Sequence, residues 1–300
     1  MKSYRVALFI VPIAFLAAFR FADSKQADLE DILKKAAAYS ARLESAALNF
    51  TCTEQITETQ TLSRRKPAPK VPANTTTHAP GTLNDISGAV EQGAGYSGFS
   101  GRSLVIRKNK WLYDYQLVRK QRVIDERRTL LKWNGQDKKV ENAPLNTFRV
   151  WFKDVIMCPA GLFSAAAQQM HIYKIVGRET IYRIPAAIID VQNKPGIDLG
   201  LSGKAWVSLA DGAVLKVEWT ADSLRNSPLV TSQALDLNAV PRITLQSEFG
   251  AEKNGIRFLS EHRVIEAYFV REARKVFTRS KLDVSYKDYR YFTVETNVDF

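Results

Sequence analysis

The side chains able to carry chemistry are few. Among 300 residues there are 2 Cys and 3 His, too few for a Cys/His zinc module, an iron–sulfur centre or a disulfide-dense scaffold. His78 stands in a stretch without periodicity, while His171 and His262 stand singly on predicted strands, where a histidine ordinarily has a structural role. Asp283 and Asp288 read as strand-surface carboxylates, because nothing in their spacing makes them face one another as a glycosidase pair must. No Gly-x-Ser-x-Gly elbow, phosphate loop or dinucleotide-binding glycine pattern is present. The sequence therefore implies no catalytic residue, no metal site and no cofactor, and the expectation is a protein that is not an enzyme.

The remaining candidates bind rather than react. Trp111, Tyr113 and Tyr115 alternate with Leu112, Asp114 and Gln116, so one face of that strand is an aromatic stripe. With Trp206 and Trp219 on later strands, they are the candidates to line an apolar concavity. Plain core packing is the competing role for each. Cys52 and Cys158 are either two buried free thiols or one disulfide. As a bridge they would close a loop of about a hundred residues, worth on the order of 4 kcal/mol in the chain-entropy account.

These residues need elements to position them. From Ala27 to Phe50, apolar residues at Leu29, Ile32, Leu33, Ala36, Leu43 and Ala47 follow helical spacing, with Lys34, Lys35, Arg42 and Glu44 left for the wet face. The period then changes. Phe50, Cys52, Glu54 and Ile56 alternate with Thr51, Thr53, Gln55 and Thr57, which predicts a strand. Residues 63–102 lose all periodicity and read as a disordered Pro/Gly-rich insertion between two strands.

From Ser103 onward the texture is β. Strands are predicted at Trp111–Leu117, Val123–Trp133, Ile172–Val176, Ala186–Val191, Lys204–Leu209, Ala213–Thr220, Arg257–Leu259, His262–Tyr268, Ala273–Thr278 and Lys281–Phe300. Asn134-Gly135 and Ala210-Asp211-Gly212 mark hairpin turns. A helical or irregular stretch around Phe148 to Met170 interrupts them. About nine or ten strands make a large antiparallel sheet, which must curl. The expected fold is mainly β (α+β): a strongly curved antiparallel sheet, or incomplete β-barrel, with the N-terminal amphipathic helix packed on its concave side. Residues 25–62 (helix and first strand) and 103–300 would form a single domain.

The N-terminus reads as an address. Lys2 and Arg5 precede an apolar stretch, Val6 to Phe19, that suits a signal-peptide core and falls short of the roughly 20 residues needed to span a bilayer. Cleavage is expected near Ser24, making residues 1–24 a signal peptide; the alternative is a retained anchor. The formal charge of +12 then becomes about +10, which suits anionic partners in the envelope. Nucleic acid is an unsuitable partner, because the cations are spread along the chain and export removes it from DNA and RNA.

The order of elements has a likeness. The segments Ile175-Val176-Gly177-Arg178-Glu179-Thr180, Ala187-Ile188-Ile189-Asp190-Val191, Ala205-Trp206-Val207, Asp211-Gly212-Ala213-Val214-Leu215-Lys216 and the closing Val284 to Phe292 are similar to the core of the LolA-like outer-membrane lipoprotein-sorting superfamily. That resemblance implies an incomplete barrel with helices across its open side, a periplasmic location, and an apolar cavity for lipid or lipoprotein acyl chains. It also implies an alternative, an envelope sensor or scaffold that binds another protein through the same fold or the insertion. Either way the processed chain would not be an integral membrane protein.

Overall fold

The computed structural model describes residues 11–64, 103–120, 123–147, 155–197, 202–220 and 228–291. Helix α1 covers Val11–Ala47, and short helices α2 (Cys158–Phe163), α3 (Ala165–Gln168) and α4 (Pro228–Asp236) follow later. The strands are β1 (Phe50–Arg64), β2 (Ser103–Lys120), β3 (Val123–Trp133), β4 (Gln136–Val140), β5 (His171–Ile181), β6 (Ile184–Asn193) and β7 (Gly203–Ser208), followed by β8 (Val214–Trp219), β9 (Ala239–Glu248), β10 (Ala251–Lys253), β11 (Ile256–Phe258), β12 (Glu261–Val270) and β13 (Lys275–Tyr291). Eleven of them form one antiparallel sheet in the order β4-β3-β2-β1-β13-β12-β9-β8-β7-β6-β5, and β10 and β11 form a separate hairpin. The sheet is open and curved, with β4 and β5 as its edges, so the expected incomplete barrel is what the chain builds.

Period-two patterning decides which side of each strand is dry. On β1 the buried set is Phe50, Cys52, Glu54, Ile56, Glu58 and Gln60, while the threonines between them are part-exposed. The register carries this phase across the sheet: Ile56 pairs with Trp111 and Val284, and His262 with both Val284 and Ser247. Helix α1 covers the resulting concave face. Its stripe Leu29, Ile32, Ala36, Tyr39, Leu43 and Ala47 is buried in the same core as the inward side chains of the sheet. The helix ends where the Asn49 side-chain amide donates to the Ser45 carbonyl and Asn49 N–H to that of Ala46. Phe50 then opens β1.

Polar ties from α1 to the rest of the chain add to its apolar stripe, among them the Arg178–Asp28 ion pair at 2.8 Å. Lys35 Nζ donates to the Leu209 carbonyl at 3.2 Å, the Tyr39 hydroxyl accepts from Arg257 N–H at 2.5 Å, and Gln168 donates to the Leu33 carbonyl at 2.7 Å. The β7–β8 turn touches the helix backbone directly. Gly212 sits at φ +74°, and a Cβ there would lie 2.3 Å from the Lys35 carbonyl carbon and 2.4 Å from Ala36 N. Only glycine gives both the left-handed conformation and the clearance.

Several expectations change in the structure. The two strands expected at Ala273–Thr278 and from Lys281 are one 17-residue strand, β13. Strand β9 and helix α4 were not anticipated; Pro241 inside β9 argues against an interior strand, yet it pairs with Tyr268 of β12. The β5–β6 turn is made by Tyr182 and Arg183 at φ 52° and 64°, residues that give no turn signal. Most of the expected insertion (65–102), the Phe148, Trp151 and Phe152 pattern, the terminal run 292–300 and the first ten signal-peptide residues lie outside the described residues; residues 11–24 form the beginning of α1. Among the described residues, no helix is long and apolar enough to cross a membrane.

Candidate functional site

The concave face brings four of the five aromatic candidates together. Trp111, Tyr113, Tyr115 and Trp219 share the buried phase, at 6% exposure or less. Trp206 does not join them. It pairs with Ile188 and Lys216 on the convex side, while its neighbours Ala205 and Val207 take the concave one. It is buried there because Lys216 Nζ lies over its ring at 4.4 Å and its indole N–H donates to Glu179 at 2.8 Å. A lysine stem and a carboxylate bury that tryptophan without a core.

The centre of the concave face is ionic. Glu54 replaces an apolar residue in the buried phase of β1, and Arg128 does so on β3. Their rows adjoin, so the Arg128 guanidinium reaches past β2 and makes a forked pair with Glu54: Nε to Oε2 at 2.6 Å and Nη2 to Oε1 at 3.0 Å. Nη1 donates to Glu126 Oε2 at 2.9 Å. The Tyr286 hydroxyl donates to Glu54 at 2.9 Å and that of Tyr115 to Glu126 at 3.0 Å, with the guanidinium carbon 4.8 Å above the Tyr115 ring. Bidentate geometry and phenol donors are what a buried pair needs to offset desolvation.

Burial pushes the Glu54 carboxyl above its ordinary range, against the opposing pull of the Arg128 charge and the Tyr286 hydroxyl. Burial also disfavours the charge on Arg128, but the two carboxylates reverse that and hold the guanidinium well above its usual value. Desolvation raises Tyr115 and Tyr286, with the carboxylates adding to it, so both phenols stay protonated donors. A pocket of about 380 Å³ opens beside this group, lined by Val118, Asp125, Glu126, Arg127, Arg128, Asn142 and Ala143. Its lining is mixed in charge and unlike the aromatic concavity expected.

A second polar link crosses the face further along. The Trp219 indole donates to Ser247 Oγ at 3.0 Å, and Ser247 Oγ lies 2.9 Å from His262 Nδ1. A serine beside a histidine is the start of a nucleophile–base pair, but both are buried, at 0% and 1% exposure. Burial lowers the His262 pKa to about 4. Unfolded, the ring titrates near 6.5, so it takes up its proton in the unfolded chain first, and its contribution to stability is complete above about pH 6.5 and is lost as pH falls toward 4. Urea unfolding of the full-length chain is expected to show a fall of about 3 kcal/mol across that window from this residue. In His262→Gln the fall should be smaller by that amount; an unchanged pH profile would refute the assignment.

Cys52 and Cys158 are both buried free thiols, so no bridge joins them. Cys52 lies on β1 with Tyr289 as its hydrogen-bond partner, and burial raises its thiol far above the ordinary value, which leaves it unreactive. Cys158 begins α2, under α1. Glu54, Glu126 and Arg128 were not among the sequence candidates. Their signal was there: each is a charge in the apolar phase of an alternating strand, Glu54 between Cys52 and Ile56, Arg128 two residues before Leu130.

The chain is similar in structure to a DUF1329 family protein from Desulfovibrio piger (11% identity, 88% of this chain and 95% of that one, TM-score 0.34). It is also similar to a LolA superfamily protein from Nitrosomonas europaea (10%, 89% and 94%, TM-score 0.31) and to an outer membrane lipoprotein-sorting protein domain from Vibrio parahaemolyticus (9%, 88% and 95%, TM-score 0.34). These neighbours include the superfamily that the strand segments resemble, while the architecture itself stands on the strand order above. No family model and no curated protein matches the sequence.

Proposed function

We propose that the protein is a non-enzymatic binding or carrier protein of the periplasm that holds an apolar ligand, such as a lipid or lipoprotein acyl chain, between its concave face and α1. The observation that carries this reading is how the open side of the sheet is closed. One helix covers it through an apolar stripe and a handful of polar ties, and apolar contact of that kind exchanges readily for contact with a hydrocarbon chain. The Glu54–Arg128 pair lies at the centre of the same face and fixes β1, β2, β3 and β13 to one another. The floor therefore stays put when the cover shifts. Trp111, Tyr113, Tyr115 and Trp219 stand ready as ligand contacts on that floor.

Binding of the fluorescent fatty acid cis-parinaric acid to the full-length chain tests this. Saturable binding near one probe per chain is expected, with competition by unlabelled palmitate. Absence of binding by folded protein at micromolar concentrations would reject the carrier reading.

A further inference from the structure

The convex face carries an arrangement that the carrier reading does not use. On β1 the residues between the buried positions are Thr51, Thr53, Gln55, Thr57, Thr59 and Thr61, each part-exposed or exposed. The ten residue-to-residue steps from Thr51 to Thr61 make this hydroxyl-lined strip about 33 Å long. The register places cations along both sides. Lys110 of β2 lies opposite Thr57 and Lys108 opposite Thr59, while on β13 Lys281 lies opposite Thr59, Lys287 opposite Thr53 and Arg290 opposite Thr51. The two flanking strands run roughly 10 Å apart.

Acids are in the minority on these three strands. Asp283 binds Lys281 at 2.8 Å and also Arg263 of β12 at 2.8 Å, and Asp114 faces Arg290 at 3.6 Å. Lys108, Lys110 and Lys287 are exposed and have no acidic partner among the described residues. The face thus offers neutral hydroxyl and amide groups down the middle and unpaired ammonium groups on both sides. We propose that it is a docking surface for a linear anionic polysaccharide, whose hydroxyls pair with the threonine strip and whose charged groups meet the lysines.

Two features favour a glycan chain over a bilayer. A convex face touches a flat bilayer only along a line, whereas a linear polymer follows it. Ile106, Leu112 and Val118 are the apolar side chains that the described part of β2 projects on this side, too few and too scattered to anchor in acyl chains. The inference is independent of the carrier reading, since it uses the opposite face.

Fluorescence anisotropy of labelled polygalacturonate oligomers with the full-length chain tests it. The triple variant K108E/K110E/K287E is expected to weaken binding by about tenfold or more, and the charge-matched K138E/K139E/K253E by about twofold. The neutral pair T57V/T59V, which keeps β propensity, is expected to weaken it several-fold without altering salt dependence. Equal losses from the two triple variants would mean that net charge alone drives binding, and would overturn the proposal. So would an unaltered T57V/T59V affinity, no binding at all, or binding to phosphatidylglycerol vesicles in place of the oligomers.

Discussion

Replacing Arg128 with methionine is expected to destabilise the protein by about 3–5 kcal/mol at neutral pH. Methionine keeps much of the volume, so the loss is electrostatic. Without the guanidinium, Glu54 and Glu126 become buried carboxylates that have lost the cation between them. Removing one partner of a buried pair costs far more than removing both, because the survivor keeps its desolvation penalty. The double variant E54Q/R128M should therefore recover a substantial part of the loss.

The pH dependence gives an independent sign. In R128M the buried Glu54 carboxyl, already raised by burial, loses the opposing pull of Arg128, so its protonation as pH falls recovers more stability than it does in the parent. His262 is common to both proteins and destabilises each toward acid, so the difference between them is left to the carboxyl that has lost its cation. Urea unfolding at pH 7 and pH 5 would show the gap between the two proteins narrowing. A cost below about 1 kcal/mol for R128M would show that the pair contributes little.

Gly212→Ala is expected to undock α1. The methyl group would overlap the helix backbone at Lys35 and Ala36, and φ +74° is unfavourable for alanine by a further 1–2 kcal/mol or so. Backbone cannot move aside as a flexible side chain can, so either the turn or the helix must shift, at a total of about 3 kcal/mol. Because α1 is the cover of the concave face, the signature should be local: dye binding to exposed apolar surface rises and cis-parinaric acid retention falls, with the sheet signal in circular dichroism kept. The neighbouring Asp211→Ala, which removes only the acceptor for Ala213 N–H, should cost about 1 kcal/mol and leave the cover in place. Similar behaviour of the two variants would refute the role given to Gly212.

Much of the fold is legible in the sequence because local signals coincide with tertiary ones. Strand β3 has the expected limits, Val123 to Trp133, since Asn134 and Gly135 enforce the turn that ends it. Helix α1 is legible from its stripe because the face that repeats is the face that is buried. Strand β9 is not, because its identity comes from pairing with β12 and β8, and Pro241 and Arg242 mask its alternation. The site was less visible. An aromatic in an alternating strand does not say which phase is concave, which is how Trp206 comes to lie outside. Glu54 and Arg128 are separated by 74 residues, and a lone charge in an apolar phase gains meaning only once the register places its counter-charge.

The order of strands also governs when the molecule can exist. The hairpins β2–β3–β4 and β5 through β8 each join neighbours in the chain, but β1 finds its second partner only in β13, with the Tyr286 hydroxyl meeting Glu54 across 232 residues. The middle of the sheet, including the full partner set of Glu54, therefore cannot assemble until β13 has been made. An N-terminal fragment emerging from the ribosome can pair β1 with β2 alone, and the other edge of β1 stays open until β13 arrives. Assembly is a late, single closing event governed by the slow search of distant strands for each other, and loss of the C-terminal strand would unmake both halves at once.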